Sequence, residues 1–351
     1  MGGQTGKRGS GGRKPPADDE AAQTPSAEDA TLEQWLPPGA LQRLRRMRGD
    51  DGKRPFFTSD LSVNEFLLTK EAGFEPLGMV FGSSIYHVGW QPTWFYNSYN
   101  DQELSVLSQA KYDARELAMG RMEAEATALG ADGVIGVRLT VGQYDWGPDL
   151  QEFIAVGTAV RARDPQAVNY RTAQGKPFTS DLSGQDFRTL LHAGYRPVGM
   201  VMGTCVFLAY QSGGQFLAEM GMARYSGMWA QWSPKNTELQ HFTQTTYSTR
   251  EVAMGRMQAE AADMDATGIV GTDIQITQHL SKPDAEFARE LSDQNSQPSM
   301  VWRHFIADVF AVGTAIVPIS ADHQIPRLKL VLSLDDHLGV QGAPELRLGN
   351  Q

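Results

Sequence analysis

The phrase AMGRMEAEATALGADGVIGV at residues 118–137 returns as AMGRMQAEAADMDATGIVGT at residues 253–272. A helix-like stretch that runs straight into a strand-like one, written twice, constrains this chain more than any other feature. The likeness extends outward from it. PFFTSDLS (55–62) returns as KPFTSDLS (176–183), AGFEPLGMVFG (72–82) as AGYRPVGMVMG (193–203), and IAVGTAV (154–160) as FAVGTAI (310–316). The blocks keep their order while the offset grows, from 55-to-176 through 118-to-253 to 154-to-310. Two insertions in the second copy follow, one before the long helix and one between the last two strands. Self-similarity over roughly a hundred residues means a duplicated domain rather than a short-period solenoid.

Each copy reads as short helix, strand, long helix, strand, strand. Asp60 and Ser62, then Asp181 and Ser183, are N-cap candidates for helices over 62–72 and 183–193. Gly73 and Gly194 end those helices. Strands follow at 77–88 and 198–210, long helices at about 101–129 and 236–264, and closing strands at about 133–144, 152–162, 268–278 and 305–317. Residues 1–30 hold no Ile, Leu, Val, Phe, Trp or Tyr and are expected to be a disordered tail. Residues 31–54 form a short amphipathic linker around Leu32, Trp35, Leu36, Leu41 and Leu44, broken at Pro37-Pro38, that docks on the first domain or on a partner. The first repeat spans 55–164, a linker 165–176, the second repeat 177–320 and a C-terminal segment 321–351.

The faces of these elements ask for partners. Met119, Met122, Ala126 and Leu129 share one helical stripe, as do Met254, Met257, Ala261 and Met264, and Ala118, Ala124 and Ala128 let the helix lie close to a sheet. On the last strand Ala155, Gly157 and Ala159 alternate with Val156, Thr158 and Val160; Ala311, Gly313 and Ala315 alternate with Val312, Thr314 and Ile316. Ile135, Val137, Leu139 and Val141 are expected on one side of the preceding strand, as are Val270, Thr272, Ile274 and Ile276. One helix covers one side of a sheet. Burying a Val or Ile contributes roughly 1.5–3 kcal/mol, so the second face is expected to pack against another copy, within the chain or between chains. Inserted loops or the C-terminal segment, where IPRLKLVLSL (325–334) reads as a strand, are the other possible cover.

Composition narrows the function. A hydrophobic share of 41% and a charged share of 21% suit a globular chain, and the formal charge of -10 disfavours nucleic acid and anionic membrane. Lacking an apolar signal core or an 18-residue apolar run, and with a single cysteine, Cys205, the chain is expected to be cytoplasmic. Arg43, Arg45, Arg46 and Arg48 read as a solvated helix face.

The blocks LGADGVIGVRL (129–139) and EFIAVGTAVRA (152–162), with PLGMVFG (76–82) before them, resemble the YbjQ-like family, whose label speaks of heavy-metal binding. The second copy departs at Asp265, where Gly130 stood, and at Asp273 in place of Arg138. The resemblance implies an α+β protein of two tandem β-α-β-β two-layer domains, each like a dodecin subunit, that assembles as a ring, commonly of five units.

Chemistry is sparse. The seven His are scattered and fall outside zinc-ligand spacing, so a metal, if bound, would sit between domains or subunits, with no ligand set to name. Walker, G-x-S-x-G and G-x-G-x-x-G patterns are absent and no catalytic residue is assigned. The charged residues kept in both copies, Arg115, Arg121 and Glu125 with Arg250, Arg256 and Glu260, are candidates for fixing contact between units, together with the sheet residues Val156, Thr158, Val312 and Thr314. Trp90, Trp94, Tyr96 and Tyr99, then Tyr225, Trp229 and Trp232, lie in aromatic loops before the long helices and are candidates for partner or ligand contact. The expected function is a non-enzymatic self-assembling scaffold or binding protein needing no cofactor, with a homo-oligomer as its form. A protein partner would use the aromatic loops or the N-terminal segment. The alternative is heavy-metal binding between domains or subunits.

Overall fold

The computed structural model describes residues 36–50, 52, 54–87, 101–144, 147–164, 166, 168–211, 238–280 and 303–320. The expected tail, both aromatic loops and the expected strand at 325–334 lie outside the described residues.

Within them the chain forms α1 (Pro38–Arg48), α2 (Val63–Glu71), β1 (Phe74–His87), β2 (Gln102–Glu103), α3 (Ser105–Ala128), β3 (Gly133–Tyr144) and β4 (Gly147–Ala162). It continues with β5 (Phe178–Thr179), α4 (Gly184–His192), β6 (Tyr195–Gln211), α5 (Gln240–Asp263), β7 (Gly268–Leu280) and β8 (Arg303–Pro318). The order short helix, strand, long helix, strand, strand occurs in both halves. The architecture is α+β. Two four-stranded sheets run in the orders β1-β4-β3-β5 and β2-β6-β8-β7. The long strands are antiparallel, whereas β5 joins β3 in parallel.

Local chemistry explains the boundaries. The Ser62 hydroxyl accepts from the Glu65 N–H at 3.3 Å, and the Glu65 carboxylate accepts from the Ser62 N–H at 2.8 Å, a reciprocal cap on α2. The Ser62 hydroxyl also donates to that carboxylate at 2.6 Å, and this bond with the one from the Ser62 N–H holds the Glu65 carboxyl below its ordinary range. Ser183 caps α4 through the Asp186 N–H at 3.1 Å. Asp60 and Asp181 are not caps. Their backbone N–H groups donate to the Thr158 and Thr314 hydroxyls at 3.2 and 3.1 Å.

The long helices approach their sheets as the small residues suggested. A Cβ on Gly82 would stand 1.9 Å from the Ala118 carbonyl oxygen, and one on Gly203 would stand 1.8 Å from that of Ala253. Ala155 and Ala159 share a core with Ala118, Met122 and Ala126, and Ala311 and Ala315 share one with Met257 and Ala261.

The expectation about the faces of the penultimate strands is corrected. Ile135, Val137, Leu139 and Val141 do not share one side. A bulge lies between Ile135 and Arg138, with Gly136 at φ +63°. The extra residue there puts Val134, Val137, Leu139 and Val141 with α3, and Ile135 on the opposite face. Gly271, at φ +68°, marks the same bulge between Val270 and Asp273, so that Ile269 packs with α5 and Val270 does not. The second face of the second sheet is covered within the chain by the other unit, one of the two ways expected. Thr158, Val312 and Thr314 are buried and Val156 is half-buried. The lead-in segments at Ser59-Asp60 and Ser180-Asp181 cross that face and bond to Thr158 and Thr314. Beside them Phe178, Leu182 and Phe187 of the second half pack on Phe74, Ile135 and Val160 of the first.

The close approach of strand and helix gives a stability test. Gly203→Ala should cost about 3 kcal/mol in urea denaturation, since backbone stands on both sides of the new methyl. Gly255→Ala, at an α5 position with nothing within 4 Å, should instead gain roughly 0.5–1 kcal/mol.

Candidate functional site

The joint between the two halves is where duplicated side chains come together. α3 and α5 carry matching sequences but are buried differently. On α5 the buried residues Phe242, Thr245, Thr249, Ala253, Met257 and Ala261 form one stripe against its own sheet. On α3 a second stripe is buried as well, through Ser108, Lys111, Arg115 and Met119. That second stripe faces the other half. Met119 shares a core with Met200, Met202, Phe310 and Val312, and Phe153 tilts against Phe310 at 6.0 Å. α3 is thus packed from two sides, by its own sheet and by the neighbouring one.

Polar groups on α3 meet the exposed edge of β6. An edge strand presents unpaired backbone donors and acceptors that must be satisfied when covered. The Thr204 N–H donates to the Tyr112 hydroxyl and the Val206 N–H to the Ser108 hydroxyl, each at 3.1 Å. The Leu104 N–H donates to the Val206 carbonyl at 2.8 Å, and β2 extends the edge by pairing Gln102 with Leu208 and Glu103 with Phe207. Lys111 pairs with Asp308.

At the centre stands Glu260. Its Oε2 accepts from the Met202 N–H at 2.8 Å and from Arg115 Nη1 at 3.0 Å, and its Oε1 from Arg115 Nη2 at 2.5 Å. Arg115 Nη2 also reaches the Met200 carbonyl at 3.5 Å. Burial works against the Arg115 charge, but its bonds to Glu260 outweigh that and raise its pKa. Beside it Arg256 donates to both Glu103 oxygens, at 2.6 and 2.8 Å, and to the Thr204 carbonyl at 2.8 Å. These bonds hold the Glu103 carboxyl below its ordinary range. The exchange is reciprocal: β5 of the second half completes the first sheet, the Ser180 N–H donates to the Val134 carbonyl at 2.9 Å, and Gly136 donates to the Leu182 carbonyl at 2.9 Å.

Of the residues singled out by the repeat, Arg115, Arg256 and Glu260 fall at this joint. Arg121 and Glu125 do not pair along the helix, nor do Arg256 and Glu260. Arg121 donates to the Ser83 carbonyl, and Glu125 accepts from the Phe81 N–H at 2.8 Å and from Arg43 at 2.5 Å. Arg250 lies at the surface, over the Tyr247 ring and paired with Glu251. Arg43 is therefore half-buried and engaged with the first domain, whereas Arg45 and Arg46 are exposed. The linker helix α1 docks on the first domain, with Leu36, Leu44 and Met47 in its core. The aromatic-loop candidates Trp90, Trp94, Tyr96, Tyr99, Tyr225, Trp229 and Trp232 lie outside the described residues. Sequence reasoning missed Tyr112, Ser108, Lys111 and Glu103. Tyr112 and Glu103 left a signal, since Tyr247 and Glu238 stand at their matching places.

The donor set for a heavy metal does not fit. Among the described residues no group of three or more His, Cys, Asp or Glu side chains could hold an ion. The Cys205 thiol, buried in β6, is pushed up to about 12, first by burial and then by Glu103. No helix among the described residues is long and apolar enough to cross a membrane.

The YbjQ family model, described as "Putative heavy-metal-binding", matches residues 74–163. The chain is 48% identical over 225 residues to "Encapsulin nanocompartment protein Rv1762c" of Mycobacterium tuberculosis, covering 64% of this chain and 79% of that protein. It is 41% identical over 107 residues to a UPF0145 protein of Halorubrum lacusprofundi, covering 30% of this chain and 99% of the relative. A UPF0145 protein of Archaeoglobus fulgidus is 40% identical over 91 residues, 25% of this chain and 82% of its own. The chain belongs to this YbjQ/UPF0145 family. No solved structure matches it.

Arg115→Ala would remove a buried guanidinium and leave the partly buried Glu260 without its cation. The expected loss is about 3 kcal/mol, read in urea denaturation. Arg250→Ala, on the exposed matching position, should change stability by under about 0.5 kcal/mol.

Proposed function

We propose that this protein is a non-enzymatic, self-assembling scaffold built from two copies of the family domain, the second being the unit over 177–320. Chains join head to tail by repeating the contact that the two units already make. One observation carries the reading. Faces buried at the internal joint have exposed counterparts at the chain's two ends. Val206 is 1% exposed under α3, but Ile85 at the matching place on β1 is 58% exposed. Phe178 is fully buried against β3, while Phe57 is 43% exposed and stacks on Phe66. β7, the counterpart of β3, is the outermost strand of its sheet, with Ile274 and Ile276 exposed. On α5, Tyr247 and Arg250 stand where Tyr112 and Arg115 serve the joint.

An edge strand and apolar side chains of this kind attract a partner. The complementary halves lie on different surfaces, so the contact between copies is heterologous and either closes into a ring or runs on as a filament. The nanocompartment relative, named for an assembly, supports the same reading. The aromatic loops remain the places where such a scaffold would hold a protein partner.

Light scattering of the purified chain should return a mass that is a multiple of 38.5 kDa. Arg250→Glu, which sets an acid where the joint needs a guanidinium, should weaken association by roughly a hundredfold. A chain that stays a monomer at high concentration, or one whose association ignores Arg250→Glu, would refute the head-to-tail contact.

A further inference from the structure

The linker helix α1 reproduces one element of the joint. At the joint, Arg115 bonds to the Glu260 carboxylate, which itself holds the Met202 N–H, and to the Met200 carbonyl. At the outer end of the first unit, Arg43 bonds to the Glu125 carboxylate at 2.5 Å and to the Met79 carbonyl at 3.0 Å, and that carboxylate holds the Phe81 N–H at 2.8 Å. Glu125 matches Glu260, Phe81 matches Met202, and Met79 matches Met200. The two guanidinium sites are therefore the same site, filled once by the neighbouring unit's long helix and once by this chain's own α1.

From this we infer that α1 is a displaceable plug in the socket that receives a second copy of the chain. The inference rests on the head-to-tail reading above. In that contact Arg250 of the incoming copy is the counterpart of Arg115 and needs the Glu125 carboxylate and the Met79 carbonyl. Arg43 already holds both, on a carboxylate whose own side chain is 3% exposed, and the site has room for one guanidinium. Entry of Arg250 requires Arg43 to leave. Leu36, Leu44 and Met47 anchor α1 in the first unit's core, but its arginine is held less tightly than that of the joint. Arg43 touches one carboxylate oxygen where Arg115 takes both, and its side chain is 37% exposed against 6% for Arg115. It leaves the remainder of the surface uncovered, since Phe81 and Ile85 of β1 stay exposed. Self-association is then set by a competition between a tethered arginine and an incoming one.

The full-length protein, its Arg43→Ala variant and the Arg43→Ala/Arg250→Glu double variant should be compared by sedimentation velocity across a concentration series. Arg43→Ala is expected to lower the concentration for half-assembly by roughly tenfold, and the added Arg250→Glu to erase that gain. Hydrogen exchange on the unaltered chain supplies a readout free of any folding defect in the variants: α1 amides should exchange faster in assembled particles than in single chains. If the protein assembles while α1 is equally protected in both states, and Arg43→Ala leaves assembly unchanged or weaker, α1 is a fixed strut and the plug is refuted although the scaffold stands. If none of the three proteins assembles, the head-to-tail contact fails and the plug with it.

Discussion

The structure depends on how the exposed edge of a β-strand is satisfied. β6 is the edge of its long-strand ladder, and its outward N–H and C=O groups would be costly to cover with an apolar surface. Here they are met by Glu260 and Arg256 from its own helix and by Tyr112, Ser108 and Arg115 from the other unit's helix. A helix able to do this must carry an alanine stripe for its own sheet and a polar, hydrogen-bonding stripe for the next one. α3 carries both, and each of its two faces is buried as a consequence. The joint is a place where two sheets compete for opposite sides of one helix and both are served.

That arrangement accounts for charges that would otherwise be puzzling so far inside. A buried carboxylate is tolerated when backbone N–H groups and a guanidinium share it. The partly buried Glu260 and the buried Glu125 each have that pairing, one across units and one with the linker helix. The Arg256–Glu103 pair clamps the start of α3 to the second sheet in the same manner. Ion pairs here fix register as much as they stabilise, because each also binds a specific backbone atom.

Much of the fold was legible in the sequence. The repeat gave the order of elements, Ser62 and Ser183 gave the helix starts, and Ala118 with its neighbouring alanines pointed to the close helix-sheet packing. The bulges at Gly136 and Gly271 were hidden because alternation of apolar residues cannot show where a strand shifts phase by one residue. The duplicated charges pointed to the site, but their partners did not follow from spacing. Arg121 and Glu125 are well placed for each other on the helix surface, yet each is drawn to backbone groups of β1 that only the fold brings near. Arg43 had no counterpart in the repeat at all. It lies outside both copies and supplies in one chain what a second copy's helix would supply.

The reciprocal exchange of short strands has a mechanical meaning. β2 follows the first sheet's β1 in the chain yet hydrogen-bonds to the second sheet, while β5 precedes the second sheet's β6 and hydrogen-bonds to the first. Each half carries a piece of the other's sheet. The exposed stretch at Arg163–Asp164 therefore bears little of the cohesion, and a protease nick there would leave two fragments clasped together like linked hooks.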